Sequence, residues 1–265
     1  MKTKWHKRLS EDVSAAEDGE PEHWRLRDIH RRHVERMRSG KTGCGRPMPA
    51  TAMRTRFLKS VRLPEEEKSI TKPGKYSPKV GDVVTKTRWK GRQVRTLTLE
   101  ERATCPRECD NWTTCYGNNM PWARRLVHGD EFEFLLFCEI AEMKRPTVIR
   151  LHQLGDFYSL RYVRLWERII ERFDVVAFGY TAHPAASPIG AALADLAARH
   201  WEKFSLRFSG RYQPQTVARA VTVMSEQEAA DMGAIVCPAQ LGKTPSCARC
   251  GLCWTSKRTI AFLEH

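Results

Sequence analysis

TVIRLHQLGDFYSLRYVRLWERIIERFDVVAFGY, residues 147–180, carries the alternation that decides the fold. Thr147 to His152 is a short apolar run rich in β-branched residues, which predicts a buried strand. A Gly155-Asp156 turn follows. Ser159 to Phe173 then places Leu160, Val163, Trp166 or Leu165, Ile169 and Ile170 on one helical face. Asp174 to Tyr180 is a second buried strand. Strand–helix–strand order requires a crossover, and crossovers join parallel strands.

The same rhythm extends in both directions. Val94 to Leu99 predicts a strand and Pro121 to Met143 a helix interrupted near Gly129. Downstream, Ile189 to Trp201 predicts a helix, and Phe204 to Phe208, Ala218 to Met224 and Gly233 to Cys237 predict strands. The expected class is α/β, as a partial (β/α) barrel or a parallel sheet. It carries a basic N-terminal extension and a cysteine-rich C-terminal segment.

The chain has 265 residues, 41% of them hydrophobic, with eight tryptophans, enough for a packed core. No run approaches the roughly 18 apolar residues of a membrane span, so no membrane partner is expected. The N-terminus is basic and is followed by acidic residues instead of an apolar signal segment, so a cytoplasmic protein is expected. In a reducing compartment, clustered cysteines are ligands or catalysts rather than disulfides.

Of the 45 Lys and Arg, 25 lie in residues 1–100, which hold only 13 of the 31 Asp and Glu. The composition divides the chain into a basic extension (1–93), an α/β core (94–236) and a cysteine-cluster segment (237–265). Within the extension, Trp24, Leu26, Ile29, Val34 and Met37 predict an amphipathic basic helix over Glu22 to Arg38. Residues 39–80 read as irregular. A basic extension points to nucleic acid as a partner. The plain alternative is a solvated tail that aids solubility.

The nine cysteines are grouped. Cys247, Cys250 and Cys253 form C-x2-C-x2-C, and Cys237-Pro238 precedes them. Such a run wraps three corners of a [4Fe–4S] cube, with a further cysteine completing it. Zinc is the alternative metal, since four thiolates also satisfy its tetrahedral preference. Cys105, Cys109 and Cys115 form a second, three-thiol group. Three ligands leave one iron open for a small molecule, or take a fourth from elsewhere. Cys44 and Cys138 are the candidates, although Cys138 lies among Phe134, Leu135, Leu136 and Phe137 and reads as a core residue.

A strand, a three-cysteine loop, a helix and a strand ending Leu154-Gly155-Asp156 together resemble the radical S-adenosylmethionine superfamily. That resemblance implies that Cys105, Cys109 and Cys115 hold a cluster and that Gly155 and Asp156 face S-adenosylmethionine. The chain has C-x3-C-x5-C where the superfamily has C-x3-C-x2-C, and its aromatic residue, Tyr116, follows the third cysteine. A second resemblance covers residues from about Leu97 onward. Cys115-Tyr-Gly, Arg150-Leu-His-Gln-Leu-Gly-Asp-Phe-Tyr-Ser159, Tyr180-Thr181 and the final Cys-Ala-Arg-Cys-Gly-Leu-Cys-Trp are similar to the phage gene-product-eighty-eight family. It implies a phage or mobile-element origin, with the cysteine groups and the Gly-Asp-Phe-Tyr-Ser turn as the site.

Asp156 follows a strand's carboxyl end, where α/β folds build their sites, although it also stands near the start of the next helix. His152 either enters the site or is a hydrogen-bonded core histidine. Tyr158, Tyr180 and His183 lie near strand ends and read individually as structural. Trp254 is expected to shield a cluster from water. The expected catalytic residues are Asp156 and His152, with Gly155 and Tyr116 at the cofactor and seven cysteines at metal. The expected function is a radical-type or redox iron–sulfur enzyme acting on or near nucleic acid. The alternative is a non-catalytic nucleic-acid-binding protein stapled by zinc or iron–sulfur.

Overall fold

The computed structural model describes residues 47–264. The expected basic helix over Glu22–Arg38, together with Cys44 and His265, lies outside those residues.

Ten strands and seven α-helical segments are labelled here in chain order. They run β1 (Val61–Arg62), β2 (Lys72–Pro73), β3 (Gln93–Thr96), α1 (Glu101–Thr104), β4 (Arg125–Leu126), α2 (Asp130–Ala141), β5 (Thr147–Arg150), α3 (Leu160–Arg172) and β6 (Val175–Thr181). There follow α4 (Pro188–His200), β7 (Phe204–Ser209), β8 (Arg219–Val223), α5 (Glu226–Asp231), β9 (Ile235–Val236), α6 (Cys247–Cys250), α7 (Leu252–Thr255) and β10 (Ile260–Leu263).

Eight strands form one sheet in the order β2-β3-β5-β6-β7-β8-β10-β9. Every pairing is parallel except that of edge strand β2 with β3. From β3 to β8 each strand lies beside its successor in this sheet, so the winding never reverses. Helices α2, α3 and α4 therefore cover one face, in a core with Ile149, Leu151, Ala177, Phe204 and Leu206. The alternate residues Val94, Val148, Val176 and Phe178 point the other way. That face is covered by Val80, Val84, Trp89, Ala248 and Trp254, from residues on either side of the sheet in sequence.

Helix α3 forms as its periodicity predicts. Ser159 caps it by accepting from the Tyr162 amide at 3.1 Å. Tyr162, Val163, Leu165, Trp166, Ile169 and Ile170 are buried. Each large side chain buried in this way contributes roughly 1.5–3 kcal/mol. Leu160, in the first turn, is instead exposed.

The predicted helix over Pro121–Met143 begins only at Asp130. Gly129 has φ 137°, a conformation that no helix can run through, and Arg125–Leu126 pairs as strand β4 with β1. Strand β10 was not read from the sequence. It inserts between β8 and β9 and carries the cysteine segment into the sheet. Residues 47–93 also pack into the body. Glu139 on α2 accepts from the amides of Ile70 and Thr71, and Trp89 joins the second core. No described helix is long and apolar enough to cross a membrane.

Candidate functional site

The first thiol group occupies the loop after α1, beyond the carboxyl end of β3. Two buried arginines shape it. Arg125 is fully buried and pairs with Glu101, Nε to Oε2 at 2.7 Å and Nη2 to Oε1 at 3.1 Å. Its remaining donors reach the carbonyls of Gly117, Met120 and Ala123 and the Ser60 hydroxyl. One guanidinium thus fixes the chain just beyond Cys115. Arg102 donates to the Trp112 carbonyl at 2.6 Å and lies over that indole. The Trp112 Nε1–H donates to the Ala50 carbonyl at 2.9 Å, so residues near 50 brace the loop from outside.

Three thiols interact within this loop. Burial raises the Cys105 thiol well above its ordinary range, and Asp156, Cys109, Cys115 and Glu101 push it the same way. Burial also pushes Cys109 up to about 12 and raises Cys115. Arg102 and Arg125 oppose the rise at Cys115. Tyr116 is 58% exposed at the edge of the group.

The Gly155-Asp156 turn packs directly beneath the first thiol group. Gly155 has φ 86°, and a Cβ there would meet Leu99 Cβ at 2.6 Å and Thr104 Oγ1 at 2.7 Å. Its glycine has a packing reason. Asp156 is 2% exposed. Its carboxylate accepts from the amides of Phe157 at 2.8 Å and Ala182 at 2.7 Å, and its own amide donates to Thr104 Oγ1 at 3.0 Å. Asp156 therefore ties the ends of β5 and β6 to the residue preceding Cys105. Burial raises its pKa, against the pull of His183 and these donors. Ser159, not Asp156, caps the following helix.

His152 is buried with a left-handed φ of 41°. Its Nε2 lies 3.0 Å from the Tyr162 hydroxyl, and Nδ1 has no partner among the described residues. Burial, then Arg150 and His183, lowers its pKa to about 3, so the ring is neutral. The His183 Nε2–H donates to the Phe157 carbonyl at 2.6 Å. Tyr158 donates to Glu133 on α2 at 2.9 Å.

The second group lies on the sheet face opposite α2–α4. Cys237, Cys247, Cys250 and Cys253 all line one small cavity, together with Pro238, Gly251 and Trp254. Trp254 is fully buried, stacked on Trp89 at 5.1 Å, and its Nε1–H donates to Thr87 Oγ1 at 2.9 Å. Ser246 caps α6, and the Cys247 amide donates to the Lys79 carbonyl at 2.8 Å. Burial raises Cys247, and pushes Cys237 up to about 11. Cations surround these thiols: Arg150 acts on Cys247, Lys86 on Cys250, and Lys79 feels Cys237 and Cys247. The Tyr180 hydroxyl lies 2.9 Å from Cys253 Sγ.

Arg207, which the sequence reading did not single out, secures the approach to β10. It is fully buried and donates to the carbonyls of Cys253, Ser256 and Arg258. Its only sequence signal is a charge inside an apolar strand, FSLRF. Cys138 lies on α2 and is half-buried.

Neither group is drawn to single-ion spacing. Among the described residues, the only group of three or more His, Cys, Asp or Glu residues with ligand atoms mutually within 4.8 Å is Glu167, Glu171 and His200. Those three lie on the helical surface, where Arg199 pairs with Glu167 at 2.6 Å.

Fold and site together define a parallel α/β protein with two thiol groups, one beyond the strand ends and one beneath the sheet. The chain is similar to the Gene 88 protein of Mycobacterium phage D29, at 30% identity over 150 residues, covering 49% of this chain and 59% of that protein. It is likewise 29% identical over 149 residues to the Gene 88 protein of Mycobacterium phage L5, with the same coverage. These relatives bear out the phage gene-product-eighty-eight resemblance, although the chain spans under two thirds of their length. No family model matches the chain, and no solved structure matches it.

Proposed function

We propose that this protein is an iron–sulfur enzyme of radical or redox type, in which Cys237, Cys247, Cys250 and Cys253 hold one [4Fe–4S] cluster. The observation that carries this reading is their convergence on one cavity, walled by Trp254 and ringed by Lys79, Lys86 and Arg150. A thiolate-bound cluster is anionic, and cations beside it offset that charge. The C-x2-C-x2-C run favours an iron–sulfur cluster over zinc, whose ligands more often fall in two separated pairs.

Cys105, Cys109 and Cys115 are assigned to a second, open cluster, which would supply one-electron chemistry to a small molecule such as S-adenosylmethionine. Their place after β3, above the Gly155-Asp156 turn, supports the radical-SAM-like reading and its partial barrel, as does the unreversed winding of the sheet. Asp156 positions the loop through Thr104, and Tyr116 faces solvent at the group's edge. His152 backs the turn as a neutral ring against Phe157. Nucleic acid is the proposed partner, on the strength of the charge concentrated in residues 1–100.

Anaerobic purification with iron, sulfide and zinc analysis tests the reading, alongside a visible spectrum. Iron and sulfide in equal amounts support it. A colourless protein with one zinc per chain supports the metal-stapled alternative, which the burial of Trp254 between residues 77–92 and the sheet also favours.

A further inference from the structure

We propose that Tyr162 and Tyr158 form a redox-active pair that drains one-electron oxidising equivalents from the first thiol group and releases them at the protein surface. The inference rests on the reading of that group as a site of one-electron chemistry, and it names a protective route out of it.

A phenol gives up an electron readily only when its proton leaves with it, so a redox tyrosine needs a base within hydrogen-bond reach. Both tyrosines have one. Tyr162 is fully buried, and its hydroxyl lies 3.0 Å from Nε2 of the neutral His152 ring. Tyr158 donates to Glu133 Oε1 at 2.9 Å, and Arg161 holds the other oxygen of that carboxylate at 2.8 Å. Burial raises both phenols above their ordinary range, so neither ionises beforehand. Packing alone is served by phenylalanine, which buries no polar group.

The rings are placed for exchange. Tyr158 and Tyr162 stack with centroids 4.7 Å apart and planes 12° from parallel. The half-buried His128 ring lies 4.6 Å from Tyr158, so the pair runs from the core outward. At the inner end, Asp156 acts electrostatically on both Cys105 and Tyr162, and its amide meets Thr104, which precedes Cys105.

The oxidant is a sulfur-centred radical of the first group, which takes one electron and becomes a thiolate. Tyr162 supplies that electron and passes its phenolic proton to His152 Nε2, leaving a tyrosyl radical beside an imidazolium. Tyr158 then gives an electron to Tyr162, which recovers its proton from His152, while the Tyr158 proton moves to Glu133. The radical ends on the half-buried Tyr158. A soluble one-electron reductant of the ascorbate class restores that phenol, with the proton returning from Glu133.

The test uses the full chain, a photo-oxidised ruthenium tris-bipyridine complex as oxidant, and electron paramagnetic resonance as readout. A tyrosyl signal is expected to outlast those of the exposed Tyr76 and Tyr212, which Tyr76→Phe and Tyr212→Phe identify. Tyr158→Phe with Tyr162→Phe should remove the long-lived signal while keeping both rings, and thermal melting shows that each variant is folded. In Tyr158→Phe, adding His152→Asn should slow Tyr162 oxidation roughly a hundred-fold, because an amide accepts the hydrogen bond but not the proton. Under repeated flashes the double phenylalanine variant should accumulate sulfinic and sulfonic acids on Cys105, Cys109 and Cys115 several-fold faster, read by peptide mass spectrometry. A long-lived signal that survives in that variant, an unchanged rate with His152→Asn, or equal thiol oxidation each overturns the pair. Iron and sulfide analysis of the same samples judges the cluster separately. Iron-bearing protein without the long-lived radical removes the pair alone, whereas iron-free protein that still forms it supports the pair and sinks the cluster reading.

Discussion

The two thiol groups are built on different electrostatic plans. The group of Cys105, Cys109 and Cys115 hangs beyond the strand ends on a loop, with carboxylates of Asp156 and Glu101 beside it. The four thiols around Cys247 sit under the sheet among cations, closed over by Trp254. On the proposed reading, the difference is that a cluster on a loop beyond the strand ends is placed for reactivity and one folded into a core layer for retention.

The comparison breaks most severely at Arg125. Arg125→Met leaves Glu101 buried without its charge partner and releases three carbonyls around the first loop. A loss of about 3–5 kcal/mol is expected in urea denaturation. The second group should keep its metal, because Arg207, not Arg125, anchors Cys253.

Acid sharpens the contrast next. His152 is neutral in the fold, with its pKa at about 3, and protonates near 6.5 once unfolded. The unfolded chain therefore binds the extra proton between those values. The stability this ring contributes is fully present above pH 6.5 and is lost as pH falls toward 3. Between pH 6.5 and 5 the loss is about 2 kcal/mol. His152→Asn, which tolerates a left-handed backbone, should flatten that slope in denaturation curves taken at several pH values.

Cysteine substitutions read the asymmetry directly. Cys247→Ser should remove metal from the second group and lower the melting temperature, because α6 and β10 frame that group within the fold. Cys109→Ser should remove metal from the first group with little change in melting. Equal effects on melting from both substitutions would erase the distinction between retention and reactivity.

The smallest effect isolates the turn. Ser159→Ala removes the cap of α3 and should cost about 1 kcal/mol without altering metal content. Asp156→Asn keeps the shape but weakens acceptance from Phe157 and Ala182, and it should lower metal retention in the first group as well.

The alternation over residues 147–180 made the sheet legible, because apolar period and crossover length are local properties. The thiol groups were legible for the same reason: their spacing is short. Other features required partners distant in the chain. Strand β10 is four residues long and reads as the end of a cysteine segment until β8 pairs with it. The helical pattern before Gly129 yields to a pairing with Val61–Arg62 that no local rule announces. Asp156 reads as a reactive carboxylate, and only the positions of Ala182 and Thr104 show it bracing the loop.

By itself the sequence determined the parallel α/β class, the register of α3 and the existence of two thiol groups, since each depends on residues close together along the chain. The tertiary structure alone decided which group is enclosed, that Arg125 and Arg207 hold the loops, and that Glu133 and His152 face the stacked Tyr158 and Tyr162. Those outcomes depend on charges and apolar faces brought together by folding, and burial then sets what each charge can do.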